Sequence, residues 1–128
     1  MASLTAPRNT PALAGSRVRE LTAGETIYAG GIVSVKAADG LVYQATDAEG
    51  YSILGRAGNT VDSGGVVVVE RGIFLLDNDV TSGATITAQH IGSGCWVKDD
   101  HTVTVASGTL LLGTVWDVND DGVFVEIN

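Results

Sequence analysis

The residues best spaced for chemistry form Asp117-Val118-Asn119-Asp120-Asp121-Gly122, near the C-terminal end of the chain. Oxygen-bearing side chains at alternate positions, with glycine at the sixth, match the first half of a calcium loop. There such oxygens wrap a hard cation and the glycine permits the sharp turn. The match stops at that point. The twelfth position, which must supply a bidentate glutamate, is Asn128, and the flanks LLLGTVW and VFVEI are strand-like rather than helical. A tight hairpin turn selects the same residue types for backbone reasons alone. The segment is therefore read as a turn without metal.

Other reactive side chains are few. His90 and His101 lack the Cys/His spacing of a closed zinc site and are read as surface or turn residues. Cys95 is the only cysteine; nothing beside it in sequence would lower its pKa, so it reads as a small core residue rather than a nucleophile. The Gly92-Ser93-Gly94-Cys95 stretch lacks the lysine and the following helix of a phosphate-binding loop. No nucleophile elbow or HExxH is present. The chain is expected to be no enzyme and to hold no cofactor. Trp96 and Trp116 each sit inside an apparent strand and are expected in the core; exposed, they would be interface anchors.

The elements that carry these residues read as β-structure. Ile32–Val35 and Leu41–Ala45 flank Asp39-Gly40, a hairpin signal. Trp96–Lys98 and Thr102–Val105 flank Asp99-Asp100, and a third hairpin turns at Asn119–Gly122. The run Val66–Leu76 is too β-branched for a helix and too long for one flat strand, so Gly72 is expected to mark a bulge or bend. Ile86–Gly92 can hold one short helical turn ended by Gly92. No window sustains a 3.6-residue apolar period. Thr22–Ile27 (TAGETI) echoes Thr81–Ile86 (TSGATI), read as one turn geometry used twice in a single barrel. Sixteen of seventeen glycines follow residue 20, while both prolines precede it. The expected fold is all-β: a compact barrel or sandwich of short hairpins over residues 20–128, with an extended N-terminal arm over 1–19.

Charge separates the two segments. Residues 1–19 hold three arginines and no acid; the remaining 109 hold four basic and fifteen acidic residues, a net −11. An acidic body does not seek nucleic acid or an anionic membrane, so neither is expected as a partner. No apolar run reaches the ~18–20 residues of a membrane-spanning helix, and no signal-peptide apolar region is read near the start. A lone cysteine fits synthesis in a reducing cytoplasm. In the arm, Leu4, Pro7, Arg8, Pro11, Leu13, Arg17 and Arg19 are the candidate partner-binding residues. About sixteen extended residues reach on the order of 50 Å, prolines lower the ordering cost, and arginine forks suit carboxylates.

The ordered segments MASLTAPRNTP, TAGETIYAGGIVSV, DGLVYQAT, ILGRAGNTVD, VVVERGIFLL, HIGSGCWVKDDHTV and LLGTVWDVNDDGVFVEI resemble the small capsid decoration (cement) proteins of Mu-like and related tailed phages. The likeness runs over nearly the whole chain and rests on glycine-and-strand patterns, not on a catalytic signature. It implies a virion protein, made in the host cytoplasm, that sits on the outer surface of the capsid head. It also implies contact with the major capsid protein, stabilisation of the shell, and self-association, most often as a trimer. Two other readings stay open: a tail or head–tail joining component, and a non-enzymatic calcium- or carbohydrate-binding module resting on Asp117–Gly122 alone. Replacing Asp121 with Asn is expected to change stability by less than about 0.5 kcal/mol, as for most surface turns. A calcium-dependent rise in Tm that this substitution abolishes would restore the calcium reading.

Overall fold

A computed structural model describes Ala6 and residues 18–127. Ten strands follow one another: β1 (Val18–Thr22), β2 (Ile32–Lys36), β3 (Val42–Gln44), β4 (Tyr51–Ala57), β5 (Val66–Glu70), β6 (Gly72–Asn78), β7 (Gly94–Val97), β8 (Thr102–Thr104), β9 (Leu111–Asn119) and β10 (Gly122–Ile127). Among the described residues the one helical element is a 3-10 turn, Ala88–His90, inside the segment where a short turn is expected. The all-β barrel or sandwich expected from the sequence is the architecture observed.

The strands form two five-stranded units with one topology. The first is ordered β1-β5-β4-β2-β3; the second, a closed barrel, reads β6-β10-β9-β7-β8, the same order five strands later. Each unit brings its first and third strands together in parallel, through Asp77↔Thr102 and Asn78↔Val103 in the second and through the single bridge Ala23↔Val42 in the first. The registers also agree. Val33 pairs with Gly55 and Cys95 with Gly113; the next pairs, Ser34 with Ile53 and Trp96 with Leu111, each skip one residue. Arg56↔Glu70 and Ala57↔Val69 correspond to Thr114↔Glu126 and Val115↔Val125. The chain is an internal duplication.

The skipped residues, Leu54 and Leu112, are bulges, and both are buried. A bulge bends its strand and increases the local twist, which lets five short strands curl towards closure. The bend also presses the backbone of the neighbouring strand onto the glycine that follows. A Cβ on Gly55 would collide with the Glu70 carbonyl oxygen, and one on Gly113 with the Glu126 carbonyl oxygen. Only glycine fits such a close approach.

Two clusters make up the core. One fills the first unit with Ile27, Val33, Val42, Leu54, Val67 and Val69 among others. The other fills the second unit around Cys95, Val97, Leu112, Val115 and Val125, and it also takes in Ile32 and Ala45, with Tyr51 and Ile53 against it, from the first. Strand β2 is therefore buried on both faces: Val33 points into its own unit, while Ile32 and Ser34 face the second. Polar contacts fix the docking. The Ile32 N–H donates to the Asp100 carbonyl at 2.7 Å, and Asp47 Oδ1 accepts the N–H groups of Thr109 (2.6 Å) and Leu110 (2.9 Å). The Arg56 guanidinium lies 4.1 Å from the centre of the Phe74 ring and donates to Glu70 Oε1 at 3.0 Å.

Several expectations change. Val66–Leu76 is not one bent strand: β5 closes the first unit, β6 opens the second at Gly72, and Arg71 carries the chain between them. TAGETI and TSGATI lie at corresponding places in the two units, after β1 and after β6, but they are not the same turn. Gly83 has a positive φ of 81°, whereas Gly24 lies under the Tyr43 ring. The expected hairpins at Asp39-Gly40, Asp99-Asp100 and Asn119–Gly122 are all present. Gly55→Ala and Gly113→Ala are each expected to lose about 1–3 kcal/mol in urea unfolding, the cost of overpacking a close contact. Losses below about 0.5 kcal/mol at both would mean that the neighbouring strands can move away freely.

Candidate functional site

The residues singled out for chemistry are used locally. Asp120 and Asp121 form the two-residue loop between paired Asn119 and Gly122, and Asn119 Oδ1 accepts the Asp121 N–H at 2.8 Å. Asp117 Oδ1 accepts the N–H of Val118 at 2.8 Å. His90 Nδ1 accepts the Thr87 N–H at 2.9 Å, which places its ring proton on Nε2 and closes the 3-10 turn. His101 is exposed in the β7–β8 turn, 2.8 Å from Asp100 Oδ1 and 3.2 Å from Asp99 Oδ1. Hydrogen bonding to Asp100 raises its pKa. Cys95 is fully buried, and burial pushes its thiol up to about 11, so at neutral pH it is protonated and packs as an apolar group.

A cleft of about 350 Å³ opens beside β7, lined in part by Asp47, Asp79, Thr81, Lys98 and Thr104. Its polar side chains are engaged with one another. Asp79 Oδ1 accepts from Lys98 Nζ at 2.8 Å and from the Thr81 N–H at 2.9 Å, and Lys98 reaches Thr81 Oγ1 at 3.2 Å. The lysine and the backbone N–H together hold the Asp79 carboxyl well below the usual carboxylate range. The Thr104 hydroxyl donates to the Ala84 carbonyl at 3.3 Å. The arrangement staples the loop after β6 to the end of β7. It is a structural bond between neighbours and not a poised acid–base pair.

Among the described residues, a row of apolar side chains stands on the outer face of the second unit. Between β9 and β10 the register shifts: Val115 pairs with Val125, but Asp117 pairs with Phe124. Trp116 is thus the extra residue of a bulge, and the side-chain alternation is broken there. Val115 points inward, while Trp116 and Asp117 both point out. The sequence places Trp116 in the core; it is 58% exposed. Trp96 is only half-buried. Phe124 also pairs with Leu75 of β6, which is 47% exposed. Leu75, Phe124 and Trp116 therefore run side by side across three strands.

The first unit serves as an internal control for this row. Its registers put Glu20 where Leu75 stands and Val68 where Phe124 stands. By pairing, Gly58, whose N–H donates to the Val68 carbonyl at 2.7 Å, stands where Asp117 does, and the bulged Trp116 has no counterpart. The first unit folds with glutamate and valine in place of leucine and phenylalanine and without a bulged tryptophan, so the fold does not demand these side chains. Neither Leu75 nor Phe124 is picked out by the sequence alone, because each reads as one more apolar residue in a strand.

Of the arm residues, Leu4, Pro7, Arg8, Pro11, Leu13 and Arg17 lie outside the described residues. Arg19 lies in β1, exposed and paired with Val69. The described pairing with β5 runs from Val18, so the last two residues of the 1–19 segment lie in β1. No protein-family model matches the chain, and no curated protein or solved structure matches it either.

The Asp79–Lys98 bond has a pH signature. A depressed carboxylate pKa contributes stability that is complete above about pH 4, the ordinary unfolded value, and fades as pH falls towards the folded one. Lys98→Met should lower Tm at neutral pH, and the gap from the parent should narrow as pH drops below about 4. A gap unchanged down to acid unfolding would show that Lys98 acts through packing alone.

Proposed function

We propose that this protein is a decoration (cement) protein of a phage head, binding the outer surface of the major capsid protein shell and stabilising it as a homotrimer. The observation that carries the reading is the row Leu75–Phe124–Trp116: aromatic-rich, with Leu75 and Trp116 exposed and Phe124 half-buried between them, and without a matching row on the first unit. Tryptophan and phenylalanine in such a setting are the side chains that anchor protein interfaces. The acidic surface around the row argues for a protein partner over nucleic acid or an anionic membrane.

The basic segment over residues 1–19 supports the same reading. It leaves the body at β1 carrying arginines that suit carboxylates on a neighbouring subunit, with Leu4 and Leu13 to add apolar contact. The row and the arm together give two modest attachments, which act as one strong attachment when both engage the same shell. Tail and head–tail joining roles would use an all-β body as well, but no particular residue here favours them.

Cosedimentation with undecorated capsids of the phage that encodes the chain tests the proposal. Leu75→Ser combined with Trp116→Ser should weaken attachment at least about tenfold, the loss of roughly one interface anchor. Stability should fall by less than about 1 kcal/mol, because both side chains are on the surface. Deleting residues 2–16 should likewise weaken attachment far more than it lowers Tm, and Arg8→Ala with Arg17→Ala should remove a smaller, salt-sensitive part. Unchanged attachment in both the row variant and the truncation would defeat the proposal.

A further inference from the structure

The contact between the two units has two sides, and duplication gives each unit both of them. The first unit uses the outer face of β2 and β4, where Ile32, Ser34 and Ile53 lie. The second uses its turn end: Asp100 between β7 and β8, and Thr109–Leu110 leading into β9. Among the described residues, one copy of each side is therefore occupied within the chain, and one is left over.

The leftover face belongs to the second unit. By register, Trp96 stands where Ser34 does and Leu111 where Ile53 does. Ser34 is fully buried between the units, whereas Leu111 is 57% exposed and Trp96 half-buried. The leftover turn end belongs to the first unit: Ala37, Ala38, Asp39 and Gly40, all exposed. It is held in shape by Asp39, which accepts the Leu41 N–H at 2.9 Å and the Tyr43 hydroxyl at 2.6 Å. A turn fixed in advance loses little entropy on docking. One leftover side presents large apolar groups and the other a small, partly apolar tip, and the two are the complementary halves of a contact the chain already makes.

We infer that a second copy of this chain covers Trp96 and Leu111 with its Ala37–Gly40 turn, repeating between chains the contact that joins the two units within one. The contact is heterologous, face to turn, so it propagates from copy to copy and ends only by closing into a ring. Three copies would place six units around such a ring. This deepens the self-association part of the proposed function and rests on it; the capsid contact through Leu75, Phe124 and Trp116 uses a different part of the surface.

The test uses two variants of the full chain, Leu111→Glu and Ala38→Glu, both at exposed positions, with mass measured by light scattering and folding checked by circular dichroism. The parent should be a closed oligomer and each variant alone a monomer with parent-like Tm. An equimolar mixture of the two should form a heterodimer at least tenfold tighter than either variant's self-association. Only the intact face of the Ala38→Glu chain and the intact turn of the Leu111→Glu chain can still meet. If the parent is oligomeric and both variants remain so, or if the mixture stays monomeric, this interface is wrong while self-association stands. A monomeric parent, in solution and on capsids, would remove both. Loss of capsid attachment in Leu111→Glu from a parent that never self-associates would give the face to the capsid protein and overturn the inference.

Discussion

Each unit depends on a carbonyl oxygen resting on a bare α-carbon. The Glu70 carbonyl closes on Gly55 and the Glu126 carbonyl on Gly113, beside the bulged residues Leu54 and Leu112. The bulge supplies the bend, and the missing side chain lets the neighbouring strand follow it. Without that bend a five-stranded sheet of such short strands would stay open, with its edge backbone groups exposed. With it, the first and third strands meet and the inner face becomes a dry core of valine, leucine and isoleucine. The constraint is steric and local, and it acts at the same register position in both halves.

Curling each sheet decides what remains outside. A closed unit has only its outer face and its turn ends with which to meet anything else. The first unit spends the outer face of β2 and β4 on the second, which explains why a strand with Val33 on one side carries fully buried Ile32 and Ser34 on the other. Burial of a side chain the size of Ile32 contributes about 1.5–3 kcal/mol, and Asp47 adds direction by gathering two N–H groups across the join. Among the described residues the corresponding outer face of the second unit stays open at Leu111, which is 57% exposed.

Much of the fold is legible in the sequence because it is written in short-range signals. Alternating apolar residues, Asp-Gly and Asp-Asp turns, and the scarcity of helical periodicity all lead to an all-β chain with three hairpins correctly placed. The duplication is barely legible: TAGETI and TSGATI share letters but adopt different turns, while the true anchors are the shorter ILG and LLG around Gly55 and Gly113. Those anchors gain meaning only once the registers are known. The position of Trp116 is hidden for a related reason. A period of two predicts which face a residue takes, and a bulge resets the count with no marker in sequence. Leu75 and Phe124 are hidden because burial depends on what covers a sheet. Periodicity along one strand does not carry that information.

The acidic charge and the apolar outer face pull in opposite directions, but they act at different distances. A body charge of −11 keeps free copies apart at long range, yet salt screens it beyond about 8–10 Å. Contact of apolar side chains begins at about 4 Å, inside that range. Association of such a chain would need several short-range contacts to form together. Exposed apolar side chains are spread over the described surface, with Val18, Tyr28, Val66 and Val80 besides Leu75, Leu111 and Trp116, and scattered singly they do not make the large continuous patch that drives indiscriminate aggregation. On a surface that presents many identical sites at fixed spacing, two such contacts, each weak alone, would reinforce each other through effective concentration. The repeated scaffold allows this because one set of registers holds both halves while their outer faces carry different side chains.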